Sequence, residues 1–204
     1  YERMYVPVGV TYENYSYSTM KQISQSNNFY KVSVELNHLL GNIILPRGDY
    51  NLGNTLVPET AKMIIEAGSN IVAYNLHIAG ELEAVGTSSM PIKFFVNEIK
   101  ILSTGKATLD NVVVEGAEYG CQAIGKLSVS NSQFKNNSIG IYIHNYDAYE
   151  CIGQSVEIYN NDISNNECGM VIDTVVPMDI IVKNNKLLNN EYDGVIVNCF
   201  VGDF

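Results

Sequence analysis

One motif returns four times in the second half of the chain, and few folds can accommodate it. It opens with Asn, sets an apolar residue three positions on, then an Asn-Asn pair, a short gap, a Gly and an alternating strand. Asn131-Ser132-Gln133-Phe134-Lys135-Asn136-Asn137 leads to Gly140-Ile141-Tyr142-Ile143. Asn160-Asn161-Asp162-Ile163-Ser164-Asn165-Asn166 leads to Gly169-Met170-Val171-Ile172, and Asn184-Asn185-Lys186-Leu187-Leu188-Asn189-Asn190 to Gly194-Val195-Ile196-Val197. A weaker first copy runs Asn111-Val112-Val113-Val114, then Gly120-Cys121-Gln122-Ala123. Self-similarity at a period of roughly 20 residues, lengthened by insertions, is the signature of a solenoid whose coils cannot bury their apolar faces alone.

A third alternating strand precedes each leading Asn: Ala107/Leu109, Leu127/Val129, Val156/Ile158 and Ile180/Val182, with polar residues between. Period-two alternation buries one face, so each coil is expected to have three short strands and three corners. Asn and Gly suit the corners because both tolerate positive φ. A stacked Asn can also reach the Asn one coil away, about 4.8 Å distant. Val114, Phe134, Ile163 and Leu187 should form one inward column, and Cys121, Ile141, Met170 and Val195 another.

Upstream, Leu76-His77-Ile78-Ala79-Gly80-Glu81-Leu82-Glu83-Ala84-Val85-Gly86-Thr87 and Pro91-Ile92-Lys93-Phe94 continue the alternation, with His77 pointing outward. Leu45-Pro46-Arg47-Gly48-Asp49-Tyr50 reads as a turn into an early coil. Over about residues 43–204 the chain resembles the pectate-lyase-like superfamily of parallel β-helix repeat proteins. The fold expected is all-β: a single-stranded right-handed parallel β-helix over residues 43–204, with an N-terminal arm and cap over residues 1–42. The hand comes from the resemblance and agrees with the rule for parallel crossovers. The superfamily holds lyases, hydrolases, epimerases, metal-delivery proteins, tailspikes and non-catalytic surface proteins, so the likeness does not select a function.

The arm differs in texture. Val6, Val8, Val10 and Tyr12 alternate with Pro7, Gly9, Thr11 and Glu13, a strand suited to pairing with a neighbouring subunit or with its own β-helix. Ser18 to Gln25 is expected to be a short helix capped by Ser18, and Tyr30 to Leu36 a strand. Nothing amphipathic follows Val195-Ile196-Val197, which leaves the last coil open to association.

The formal net charge is −10, from 12 basic and 22 acidic residues. Nucleic acid and anionic membranes are therefore poor partners, and no apolar run reaches the ~20 residues of a membrane span. The sequons Asn14-Tyr15-Ser16 and Asn136-Asn137-Ser138 are candidate N-glycosylation sites. With the even set Cys121, Cys151, Cys168 and Cys199 they point to an exported, extracellular or cell-surface protein. No His/Cys cluster suggests a zinc site.

The resemblance implies two catalytic schemes. Lyases of the superfamily use calcium and a basic residue, often Arg, yet residues 48–204 contain no Arg. Its hydrolases use clustered aspartates beside His-Gly, whereas His38, His77 and His144 precede Leu39, Ile78 and Asn145. Glu167 and Glu191 are weak acid/base candidates, since both follow an Asn-Asn corner and should stack on adjacent coils. Calcium at Asp162, Asp173, Asp179 or Asp193 is possible, although the four do not share one repeat position. The longest insertion, with His144, Tyr146, Asp147 and Tyr149, is the candidate ligand loop. The expected function is a non-catalytic extracellular structural protein, a self-assembling subunit of a filament or surface layer whose arm pairs with a neighbour. The alternatives are a polysaccharide lyase or hydrolase and a carbohydrate-binding adhesin.

Overall fold

Alternation along each short strand decides the architecture, because every second side chain must leave water. A computed structural model describes residues 11–12, 20–26, 29–34, 41–146, 154–175 and 178–199, the segments before residue 41 as strands and their pairing only. Val6, Val8, Val10, Asn14, Asp147, Tyr149 and Cys151 lie outside the described residues. The described chain is all β, a right-handed parallel β-solenoid of about six turns.

One face stacks β4 (Gly41–Leu45), β6 (Ala61–Ile65), β8 (Glu81–Val85), β11 (Lys106–Asp110), β14 (Lys126–Ser130), β17 (Ser155–Tyr159) and β20 (Asp179–Lys183), all parallel. The second face holds β9 (Ile92–Phe95), β12 (Val112–Glu115), β15 (Gln133–Lys135), β18 (Asp162–Ser164) and β21 (Lys186–Leu188). The third holds β10 (Glu98–Ile101), β13 (Tyr119–Ala123), β16 (Ile139–Asn145), β19 (Cys168–Thr174) and β22 (Asp193–Cys199). In the first two coils these faces are not separate. β5 (Asp49–Val57) and β7 (Asn70–Ile78) bend across both, and β7 pairs with β9 through its first half and with β10 through its second.

Register turns the alternation into columns. Tyr50, Ile71, Phe94, Val114, Phe134, Ile163 and Leu187 are successive partners up the second face. Cys121, Ile141, Met170 and Val195 do the same on the third. On the first face Leu82, Ala107, Leu127, Val156 and Ile180 align. Up to the last coil these columns are one continuous core, against which Ile180 and Leu187 pack partly buried, and in which each fully buried large aliphatic or aromatic side chain contributes about 1.5–3 kcal/mol.

The corners divide labour between the two residues of each pair. The first takes the left-handed backbone: Asn131, Asn160 and Asn184 at one corner, Asn136, Asn165 and Asn189 at the next, all with φ between 51° and 59°. The second turns inward and builds a ladder. Asn137 N–H and Nδ2 both donate to Asn166 Oδ1 at 3.0 Å, and Asn166 N–H repeats the bond to Asn190 Oδ1 at 3.0 Å. The remaining amide proton points back one coil, from Asn166 Nδ2 to the Phe134 carbonyl at 3.1 Å. A parallel ladder joins Ser132 N–H to Asn161 Oδ1 and Asn161 N–H to Asn185 Oδ1, each at 2.9 Å.

The repeat glycine has another purpose than the positive φ expected of it. A Cβ on Gly140 would lie 2.5 Å from the carbonyl oxygen of Gly169, and one on Gly120 would lie 2.4 Å from that of Gly140. Close approach between coils excludes any side chain there. Positive φ falls instead to the asparagines and, in the repeat's first copy, to Gly116.

At the N-terminal end the expected helix over Ser18–Gln25 is replaced by β2 (Met20–Ser26), which pairs antiparallel with β3 (Phe29–Val34). Cross-strand hydrogen bonding outweighs the weak helical preference of that stretch. β3 joins β5 in parallel, while β1 (Thr11–Tyr12) lies antiparallel on Ile44 and Ile43 of β4. The described part of the arm is thus paired within its own chain.

Candidate functional site

The outward face of the third sheet gathers the unusual side chains, because residues two apart on one strand share a face and the register repeats them up the stack. Tyr142 and His144 project together from β16, with Tyr119 and Gln122 from β13 below and Asp173 from β19 above. Tyr119 and Tyr142 stack with ring centroids 5.6 Å apart, Tyr142 and His144 stack at 4.8 Å, and Tyr146 tilts against His144 at 5.3 Å. The four rings form an aromatic ledge.

Hydrogen bonds fix its polar atoms. Tyr146 Oη donates to Asp173 Oδ2 at 2.6 Å, so the Tyr142 hydroxyl must donate to Tyr146 Oη, 2.8 Å away. Gln122 Nε2 lies 2.8 Å from His144 Nε2. An amide nitrogen only donates, which makes Nε2 the acceptor and places the ring proton on Nδ1. His144 Nδ1 and Gln122 Oε1 are buried and have no partner among the described residues. Burial first, and the Lys100 ammonium second, lower the proton affinity of His144, against the opposing pull of Asp173. The Asp173 hydrogen bond, then that from Tyr142, hold the Tyr146 phenol above its ordinary range. Two strands further down the same face, His77 Nε2 donates to Glu98 Oε1 at 2.7 Å, pointing outward as expected.

No protein-family model, curated protein or solved structure matches the chain. The ledge therefore stands on its own geometry.

Of the residues expected in the ligand loop, His144 and Tyr146 are brought together. Tyr119, Gln122 and Tyr142 complete the group without having been expected there, as does Asp173, expected only as a calcium candidate. The repeat held the signal for three of them: Gln122 and Tyr142 each stand two residues after the repeat glycine, and Asp173, like His144, stands four after it.

Glu167 and Glu191 occupy equivalent corners of adjacent coils, their N–H groups donating to the carbonyls of Asn137 and Asn166. They are exposed, and with Glu118, Ser138 and the Asn corners they line an open groove of about 560 Å³. Glu167 accepts from Ser138 Oγ at 3.2 Å. The four aspartates are dispersed over four strands: Asp162 pairs with Lys135 at 3.2 Å and Asp173 holds Tyr146, while Asp179 and Asp193 open separate strands. Among the described residues no three His, Cys, Asp or Glu side chains converge to hold a metal ion, and no helix is long and apolar enough to cross a membrane.

Cys121 carries a free thiol, fully buried in its column and pushed up to about 12 by that burial, and Cys168 is also free. Asn136 is exposed, but its amide donates to Glu115 Oε1 at 2.7 Å, and the next residue of its sequon is the buried ladder residue Asn137.

Proposed function

We propose that this chain is a non-catalytic extracellular β-solenoid, a structural protein of the cell surface that binds carbohydrate on the ledge formed by Tyr119, Tyr142, His144 and Tyr146. The observation that carries the reading is the row of rings across adjacent coils, set among hydrogen-bonding side chains on a rigid sheet. Aromatic faces present large amphipathic area at small entropic cost, and a sheet holds them more accurately than a loop does. The ledge's acid is occupied laterally: Asp173 accepts from Tyr146. That arrangement positions rings and fits binding better than proton transfer. The likeness to the pectate-lyase-like superfamily, many of whose members act on polysaccharide, belongs to the same proposal, as does export.

A glycan array, read together with an assay for newly formed chain ends, tests it. Binding to at least one oligosaccharide without cleavage is expected, weakened about tenfold by Tyr142→Ala, the scale of one aromatic contact. A blank array sinks the carbohydrate reading, and cleavage transfers it to the polysaccharide-active enzymes.

One observation favours self-assembly as a second reading. Val182, Val195 and Val197 are exposed, although their partners one coil earlier, Ile158, Met170 and Ile172, are buried. Such a surface is completed by another coil or by a neighbouring copy, and exchange of β1 between copies is a second route. Light scattering over a concentration series separates these, and a constant monomer mass rules out the filament.

A further inference from the structure

The contacts around His144 are compatible with only one of its protonation states. With Gln122 Nε2 donating to it, His144 Nε2 must carry a lone pair. A proton added there would face the Gln122 amide hydrogens. The same amide holds an unpartnered acceptor, Oε1, which turning over would present. Across the neighbouring strand, Asp173 sits in register with His144 while spending its carboxylate on the Tyr146 hydroxyl at 2.6 Å.

We propose that His144 is an acid-operated latch on this face: when its imidazole takes up a proton, the Gln122 amide turns over and Asp173 moves from the Tyr146 hydroxyl to the imidazolium, freeing the Tyr146 ring. Each partner has a reason to move. The carboxylate exchanges a neutral phenol donor for a charged one, and hydrogen bonds to charged groups are the stronger kind. Gln122 is only 7% exposed, so its amide must be satisfied locally, and turning over pairs Oε1 with the new Nε2–H. Tyr146, 60% exposed, is held by two hydrogen bonds, the charged one to Asp173 and an exposed one from the Tyr142 hydroxyl; losing the first leaves the ring tethered only by a solvent-exposed bond between neutral groups, which water can replace.

The other groups facing His144 set the threshold without supplying a competing switch. Lys100 on β10 opposes protonation from below, Tyr119 on β13 and Tyr142 on β16 are phenols, and Asn198 on β22, in register with Asp173, is neutral. Glu98 is engaged by His77. Among the described residues Asp173 is therefore the acceptor available to an imidazolium on this face.

The functional consequence, binding at neutral pH and release in acid, rests on the reading of the ledge as a binding face. The latch itself is tested in the ligand-free chain, so either can fail alone. Imidazole and tyrosine ring resonances are followed by NMR across a pH titration, with His144→Gln assigning the histidine. The Tyr146 ring is expected to shift with the same midpoint as His144. Tyr146→Phe removes the competing donor from an exposed ring and should raise the proton affinity of His144 about tenfold, the worth of one bond to a charged group. Asp173→Asn should lower that affinity and uncouple Tyr146. A Tyr146 signal that stays constant while His144 titrates overturns the latch. So does an unchanged His144 midpoint in Tyr146→Phe, or a His144 that takes up no proton before acid unfolding. Should Asp173→Asn fail to fold, Tyr146→Phe alone decides.

Discussion

The coils before Asn111 and those after it solve the same geometric problem by different means. Both keep the inward column from Tyr50 to Leu187 in register. Upstream, the chain turns between the second and third faces by bending a nine-residue strand, β5 or β7, with Gly53 left-handed at φ 61° where the register of β5 shifts. Downstream, the strand is cut by a left-handed residue, Gly116 in the first coil and an Asn in the later ones, where the buried Asn137 and Asn166 are hydrogen-bonded from coil to coil. Column packing is thus general, while the corner device is local. A corner built from amide ladders ends one strand and starts the next, so the third face is a stack of strands of its own. The ledge stands on that sheet, in the region of ladders.

Substitutions separate the shared core from the local device. Phe94→Ala and Phe134→Ala empty the same column on either side of the boundary, and both side chains are buried. Each should cost about 3–5 kcal/mol in denaturant unfolding, and a large inequality would mean that the two regions do not share one core. Asn166→Ala is expected to cost about 2–3 kcal/mol, because it strips the Asn137 N–H of its acceptor and the Phe134 carbonyl of a donor in a dry site. Upstream the described counterpart is a single hydroxyl: buried Ser69 Oγ accepts from Gly48 N–H and donates to the Pro46 carbonyl, each at 3.3 Å, so Ser69→Ala should cost less, about 1 kcal/mol.

The left-handed position beside it should be less sensitive. Asn165→Ala keeps a β-carbon at φ 59° but loses the short polar side chain that lets asparagine tolerate that region, and should cost about 1 kcal/mol, whereas Asn165→Gly, with no β-carbon to strain, should be nearly neutral. If Asn165→Gly were as damaging as Asn166→Ala, the division of labour within the Asn-Asn pair would be wrong.

Most of the architecture was legible because repetition and alternation are properties of the sequence itself. Phe134, Ile163 and Leu187 could be stacked by aligning the glycines that follow them. Two features were less visible. Ser18–Gln25 reads as a capped helix because it lacks strict alternation, and the strand that forms there, Met20–Ser26, carries a register shift between Met20 and Ile23. The role of the repeat glycine was misassigned because its constraint, a carbonyl one coil away, is not local in sequence. At the site, Asp173 read as one of four surface aspartates, since the insertion after His144 separates it from Tyr146. Its place opposite His144 follows from the register, but the hydrogen bond to Tyr146 depends on side-chain geometry that spacing does not encode.

The smallest effect expected is a pH dependence that distinguishes the two histidines of the third face. Upstream, His77 donates to a carboxylate; downstream, His144 accepts from an amide and is partly buried. Burial lowers His144 below its ordinary 6.5. Between the lowered value and 6.5 the unfolded chain binds more protons than the folded one, so stability must rise with pH across that window. The contribution is intact above the window and is lost as the pH falls through it. Denaturant midpoints should therefore drop on acidification from about pH 6.5, and His144→Gln should flatten that step while leaving later losses in place. Those belong to Glu81 and Asp162. Burial pushes both carboxyls up, but Lys106 and Lys62 at Glu81, and Ser164 and Lys135 at Asp162, outweigh it and hold each below its ordinary range. Their contribution is lost only as the pH falls below 4.5 and 3.8, so the two windows do not overlap. A step near pH 6.5 that survives His144→Gln would show that His144 is not its source and remove the contrast between the two regions.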